Sequence, residues 1–160
     1  MSHSLLEIYL NDHLLGASGG LELFKRAAGA QRGTPRGPEL ERLVEEVRED
    51  RDSLLRIMRG MGVPVRRAKV LAGWVGEKVG RAKLNGHLLT RSPLSSLVEL
   101  EAMRLGVQGK EAGWLALRQV ADAYDGLDAA ELERLVGRAR QQGEVLERLR
   151  QETAAEVLSR

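Results

Sequence analysis

Apolar residues recur at spacings of three and four through most of this chain, and runs of turn-forming residues break the pattern at well-marked places. Ser4 and Glu7 form a capping box and open a first predicted helix. Its apolar or small face reads Tyr9, His13, Gly16, Gly20, Phe24 and Ala27, and it ends near Gly29. Residues 31–37 (QRGTPRG) read as a loop. Pro38 suits the first position of a second helix, with the stripe Leu43, Val47, Asp50, Leu54, Ile57, Met61 and a stop at Gly62 and Pro64. Ser92-Pro93 opens a third helix, with the stripe Leu94, Leu97, Glu101, Leu105, Gln108, Ala112, Leu115 and an end near Tyr124. After the Asp125-Gly126 turn, Asp128 and Glu131 form a second capping box. The last stripe reads Leu132, Leu135, Ala139, Gln142, Leu146, Leu149 and Thr153, and this helix runs to about Leu158.

The expected fold is therefore all-α: an antiparallel four-helix bundle of two helical hairpins. Both hairpins have short loops, and a long crossover, residues 63–91, joins them. The crossover carries a short extra helix around Val65 to Leu84 and allows the second and third helices to lie parallel. A single domain covers residues 1–160, long enough for a substantial core.

Polar residues interrupt the stripes near the middle of each helix: His13, Asp50, Gln108 and Gln142. Facing mid-helix positions meet at one level of a bundle core, and a polar layer there is costly unless it is hydrogen-bonded or binds something. One reading is a structural network, with Asp50 accepting from His13 and the glutamines bridging them, that fixes helix register. Gly16 and Gly20 share the His13 face. They serve either close helix packing or a small cavity beside Tyr9 and His13 that admits a ligand. Trp114 flanks the third stripe and is placed to anchor that helix or a subunit interface.

A polar layer at mid-bundle, two hairpins and a long crossover together resemble the ferritin-like superfamily, in particular its small bacterial members. The resemblance spans nearly the whole chain and rests on architecture. It implies a di-iron site built from a carboxylate on each of two helices and a Glu-x-x-His pair on each of the other two. This chain departs from that pattern. The second helix offers Glu46 and Asp50 with no histidine, the third Glu101, and the fourth Gln141, Gln142 and Glu144; the first offers His13 and no acid on that face. The expected site is degenerate and non-catalytic, with no cofactor. The alternative is iron or another divalent metal held by His13, Glu46, Asp50 and Glu101.

Composition narrows the classes further. Cysteine is absent, which excludes disulfides, thiolate metal sites and cysteine nucleophiles. Gly-x-Ser-x-Gly, the phosphate-loop pattern and His-Glu-x-x-His do not occur. The glycines around Gly106 and Gly109 lie inside a helical pattern, so they read as a packing site. With 25 Lys+Arg against 23 Asp+Glu the net charge is +2, and nothing global calls for nucleic acid or membrane. One local exception is the basic stretch Arg66, Arg67, Lys69, Lys78, Arg81 and Lys83 around Trp74. It reads as an amphipathic helix with solvated charges or, alternatively, as a weak, salt-sensitive anion-binding surface. The opening residues have no basic signal-peptide region and no run is long enough to span a bilayer, so a cytoplasmic protein is expected. The expected function is protein association, with a homodimer as the base-rate assembly, or small-ligand binding.

Overall fold

The computed structural model describes residues 4–66 and 91–159. Among them are four long α-helices, one turn of 3-10 helix and no strand. Helix α1 spans Leu5–Ala30, α2 Gly37–Gly60, α3 Pro93–Gln119 and α4 Ala129–Leu158; the 3-10 turn is Ala121–Ala123. No helix among the described residues is long and apolar enough to cross a membrane.

The helix ends follow local chemistry. Ser4 Oγ accepts the Glu7 amide at 3.1 Å, and Asp128 Oδ1 accepts the amides of Ala130 at 2.8 Å and Glu131 at 3.2 Å. At the end of α2, Gly62 takes φ +67°, its amide donates to the Arg59 carbonyl at 3.1 Å, and the Val63 amide donates to that of Met58 at 2.8 Å. This is a Schellman closure, which requires the left-handed backbone that glycine adopts without penalty. Helix α3 ends at Gln119, short of Tyr124, because the chain tightens into the 3-10 turn before Asp125-Gly126.

Leu43, Val47, Asp50, Leu54 and Ile57 are buried on α2, and the entire expected stripe of α4 is buried. Helix α3 differs. Its buried side is Leu97, Leu100, Met103, Val107, Trp114 and Leu117, whereas Leu94 and Leu105 are exposed, and so are Gln108 and Ala112. A one-residue step turns a helix by about 100°, so a misjudged phase carries a residue from core to solvent. Trp114 is accordingly a core residue rather than a flanking anchor. On α1 the buried side runs through Leu10, Leu14, Leu21, Phe24, Ala27 and Ala28, which leaves Tyr9 and Gly16 exposed.

Helix α1 packs on α2 and α3, and α3 packs along α4. Side-chain pairs bridge α2 and α4 along their length: Arg36 to Glu156, Glu39 to Arg148, Asp50 to Arg138 and Arg56 to Glu131. Asn11 ties the chain beyond α2 to α1: its Nδ2 donates to the Pro64 carbonyl at 3.1 Å and its Oδ1 accepts the Arg66 amide at 2.8 Å. The predicted crossover helix falls largely outside the described residues, as do Arg67, Lys69, Trp74, Lys78, Arg81 and Lys83.

Candidate functional site

Asp50, on α2, is 1% exposed and is the centre of a charged layer. Lys110 Nζ, from α3, donates to its Oδ2, and Arg138, from α4, donates from Nε to Oδ1 at 2.7 Å and also pairs with it through Nη2. Gln142 Nε2 donates to Asp50 Oδ2 at 3.1 Å and to Glu46 at 3.2 Å, while its Oε1 accepts from Lys110. Arg138 reaches outward to Glu49 at 2.8 Å. Burial lowers the pKa of Lys110, with the nearby Arg138 cation acting in the same direction, and the Asp50 carboxylate opposes them. Two cations and an amide thus satisfy one buried carboxylate, as a buried charge demands.

The polar layer expected from the sequence is present at Asp50 and Gln142 but has different partners. His13 makes no hydrogen bond to Asp50. Instead it stacks edge-on against Tyr9, with ring centroids 4.5 Å apart, and packs on α3 at Gly113. A Cβ at Gly113 would lie 2.8 Å from His13 Cε1, so the imidazole occupies space that any other residue there would take. Gln108 is exposed because of the α3 phase and takes no part. Lys110 and Arg138, which sequence reasoning passed over, supply the missing partners. The available signal was spacing: Arg138 lies four residues before Gln142, and Lys110 lies three after Val107, each on the inward side of its helix.

The four residues of the alternative metal set do not converge. Glu101 is exposed and its carboxylate lies 3.8 Å from Arg150, His13 faces Tyr9 and Gly113, and both Asp50 oxygens are occupied by Lys110 and Arg138. Among the described residues no three histidine, aspartate or glutamate side chains gather as a metal ion would need. The mid-bundle carboxylates, Asp50 and Glu46, are engaged by Lys110, Arg138, Gln142 and Arg42, which does not fit a di-iron centre, whose carboxylates must face the metals.

Residues of α1, α2 and α3, Asp50 and Lys110 of the charged layer among them, line a cavity open to solvent, of about 440 Å³, within the range of small-molecule sites. Five glycines line it: Gly16 and Gly20 from α1 and Gly106, Gly109 and Gly113 from α3. At all of these except Gly113, an added Cβ would meet nothing within 4 Å. Gly16 and Gly20 are therefore not close-packing positions, and neither are Gly106 and Gly109. Tyr9, Asp12, Gly16, Gly106 and Gly109 are exposed at the rim, while Phe24, Met103, Val107 and Trp114 form buried wall. His13 lies on the wall with its pKa lowered by burial, an effect the Asp12 charge opposes, so the ring is neutral at neutral pH. The chain matches no family model, no curated protein and no solved structure.

Proposed function

We propose that the chain is a non-catalytic, cytoplasmic helical bundle that binds a small, largely apolar molecule in the cavity beside His13. The observation that carries this reading is the glycine lining. Four helix-interior glycines, Gly16, Gly20, Gly106 and Gly109, have open space where a side chain would sit. Each costs roughly 1 kcal/mol relative to alanine in a helix interior. All four line the cavity, so the space they leave free is part of its volume. The charged layer then serves as a rigid floor that fixes the register of α2, α3 and α4.

The test is titration with the neutral dye N-phenyl-1-naphthylamine, which brightens in apolar surroundings. One saturable site per chain is expected in the parent protein. Gly16→Leu combined with Gly106→Leu should abolish binding while the far-ultraviolet spectrum stays helical. Unchanged binding in that folded variant would overturn the reading.

The architecture belongs to the same proposal: two antiparallel hairpins with α2 and α3 parallel, in the ferritin-like order. The opposed sequence of the α2–α4 pairs, from Arg36–Glu156 to Arg56–Glu131, supports it. The chain contains no native cysteine, so spin labels at Glu39→Cys/Arg148→Cys should report a clearly shorter distance than at Glu39→Cys/Glu131→Cys, and the reverse order would overturn the arrangement. A second reading, association as a homodimer, is favoured by the exposed apolar run Leu94, Val98 and Leu105 on α3. Sedimentation equilibrium of the parent and of Val98→Glu/Leu105→Glu decides it.

A further inference from the structure

The charged layer and the cavity share a reactive side chain, and this step rests on the binding reading above. Lys110 lies in the cavity wall with Asp50, and its side chain is 15% exposed where that of Asp50 is 1% exposed. Its Nζ donates to Asp50 Oδ2 and Gln142 Oε1, which leaves one of the three ammonium donors without an acceptor among the described residues. Lys25, the other described lysine, is 42% exposed and pairs at 2.8 Å with Glu22, four-fifths of a turn away on α1. The two amines therefore differ in surroundings: one stands in bulk water, the other at the floor of a largely apolar space.

Burial favours the uncharged amine of Lys110 and the Arg138 cation acts in the same direction, while the Asp50 carboxylate opposes both. Lysines desolvated in an apolar pocket, or set beside a second cation, are the ones that act as nucleophiles toward carbonyl groups. Phe24, Leu54 and Val107, with the open glycines, give the same wall an apolar surface. We infer that Lys110 captures an apolar aldehyde from the cavity as an imine, with Asp50 first accepting its proton and then serving as counter-ion. The ammonium passes one proton to Asp50 Oδ2, and the freed lone pair of Nζ adds to the carbonyl carbon as the C=O π pair moves to oxygen. A proton then shifts from nitrogen to that oxygen, giving a carbinolamine. Asp50 returns its proton to the hydroxyl, which leaves as water while the C=N bond forms. Ammonium and aldehyde thus become protonated imine and water, with no oxidant or reductant. The remaining N–H stays on Asp50, so the buried carboxylate keeps a cationic partner and only Gln142 Oε1 loses its donor.

The test is cinnamaldehyde, added to the full-length protein at neutral pH and trapped with cyanoborohydride, the adducts being mapped by peptide mass spectrometry. The chain has no cysteine to divert the reagent. Lys110 should be labelled at least about tenfold faster than Lys25, as expected when a bound aldehyde is held beside the amine. Cinnamyl alcohol, nearly the same shape without the carbonyl, should protect Lys110 and leave Lys25 unchanged. Gly16→Leu with Gly106→Leu should likewise remove labelling at Lys110 and keep it at Lys25. Labelling that simply follows exposure, with Lys25 ahead of Lys110, would overturn the inference, and so would Lys110 labelling that cinnamyl alcohol does not slow. If N-phenyl-1-naphthylamine still binds in that case, the cavity reading stands; if neither the dye binds nor Lys110 reacts, both fall. Every measurement on the parent protein is made with Lys110 and Asp50 in place, so the inference stays testable even if the double leucine variant does not fold.

Discussion

Replacing Asp50 with leucine should be among the most damaging single changes in this protein. The side chain is 1% exposed and accepts from Lys110, Arg138 and Gln142; without it Lys110 keeps the neutral Gln142 oxygen and Arg138 keeps the exposed Glu49. The two cations are only 15% and 18% exposed, so water cannot take over from the lost carboxylate. Breaking a buried ion pair by removing one partner costs about 3–5 kcal/mol, because the surviving charge remains buried and unpaired. For a chain of this length, about 2–4 °C of melting temperature corresponds to each kcal/mol, which gives a fall of roughly 6–20 °C. Removing the group as a whole should behave differently. Asp50→Leu with Lys110→Met, Arg138→Met and Gln142→Leu leaves no buried charge behind and should return to within about 1–2 kcal/mol of the parent, or exceed it. Adding His13→Leu to Asp50→Leu should restore nothing, since His13 is no partner of Asp50. Urea unfolding at neutral pH, followed by circular dichroism, measures all of these. A loss below about 1 kcal/mol for Asp50→Leu, or a rescue by His13→Leu, would refute the reasoning.

The remaining expectations concern the glycines, a cap and pH. Gly20→Ala and Gly109→Ala should each raise stability by up to about 1 kcal/mol, seen as a higher urea midpoint, because the methyl enters open space and alanine favours the helix. Gly113→Ala should bring no such gain, since it must push the His13 ring aside, and nuclear magnetic resonance should show the His13 and Tyr9 signals move. Asp128→Ala removes the acceptor for two amides at the start of α4 and should cost about 1 kcal/mol by the same unfolding assay. Burial holds the His13 pKa below its unfolded value of 6.5. The unfolded chain therefore binds the proton first. His13's contribution to stability is constant above that value and is lost as pH falls from 6.5 toward the folded pKa. The drop in melting temperature between pH 7.5 and pH 5.5 should be smaller in His13→Phe than in the parent.

The helices of this protein were legible to different degrees for a physical reason. On α2 and α4 the outward positions are dense with Glu and Arg, so only one face is left for Leu and Val and the phase is unambiguous. Helices α1 and α3 carry glycines and surplus apolar residues. On α3, Leu94, Val98 and Leu105 compete with Leu97, Leu100, Met103 and Val107, and spacing alone does not rank two apolar faces. The misplacement of Gln108 follows from that ambiguity. Lys110 and Arg138 were overlooked because a charged residue is ordinarily solvated; only a buried acid opposite them makes burial tolerable, and that pairing is tertiary. The cavity was half legible, since Gly16 and Gly20 could be read as packing or as space. Their α3 counterparts, Gly106 and Gly109, are what decide for space.

The charged layer draws in three helices and passes over the fourth. Helices α2, α3 and α4 are laced together through Asp50, Lys110, Arg138 and Gln142, whereas α1 meets its neighbours through apolar contacts, a glycine-walled void and a few partly buried polar bonds such as Ser18–Arg51 and Gln31–Ser96. Cohesion is therefore unequal across the molecule. The backbone of α2 comes nearest that of α1, and α2 reaches α3 and α4 through these long side chains, so the ions stitch the α1–α2 pair to the α3–α4 pair. Cutting that stitching, as Asp50→Leu does, would be seen in hydrogen exchange as faster opening along the facing sides of α2 and α4.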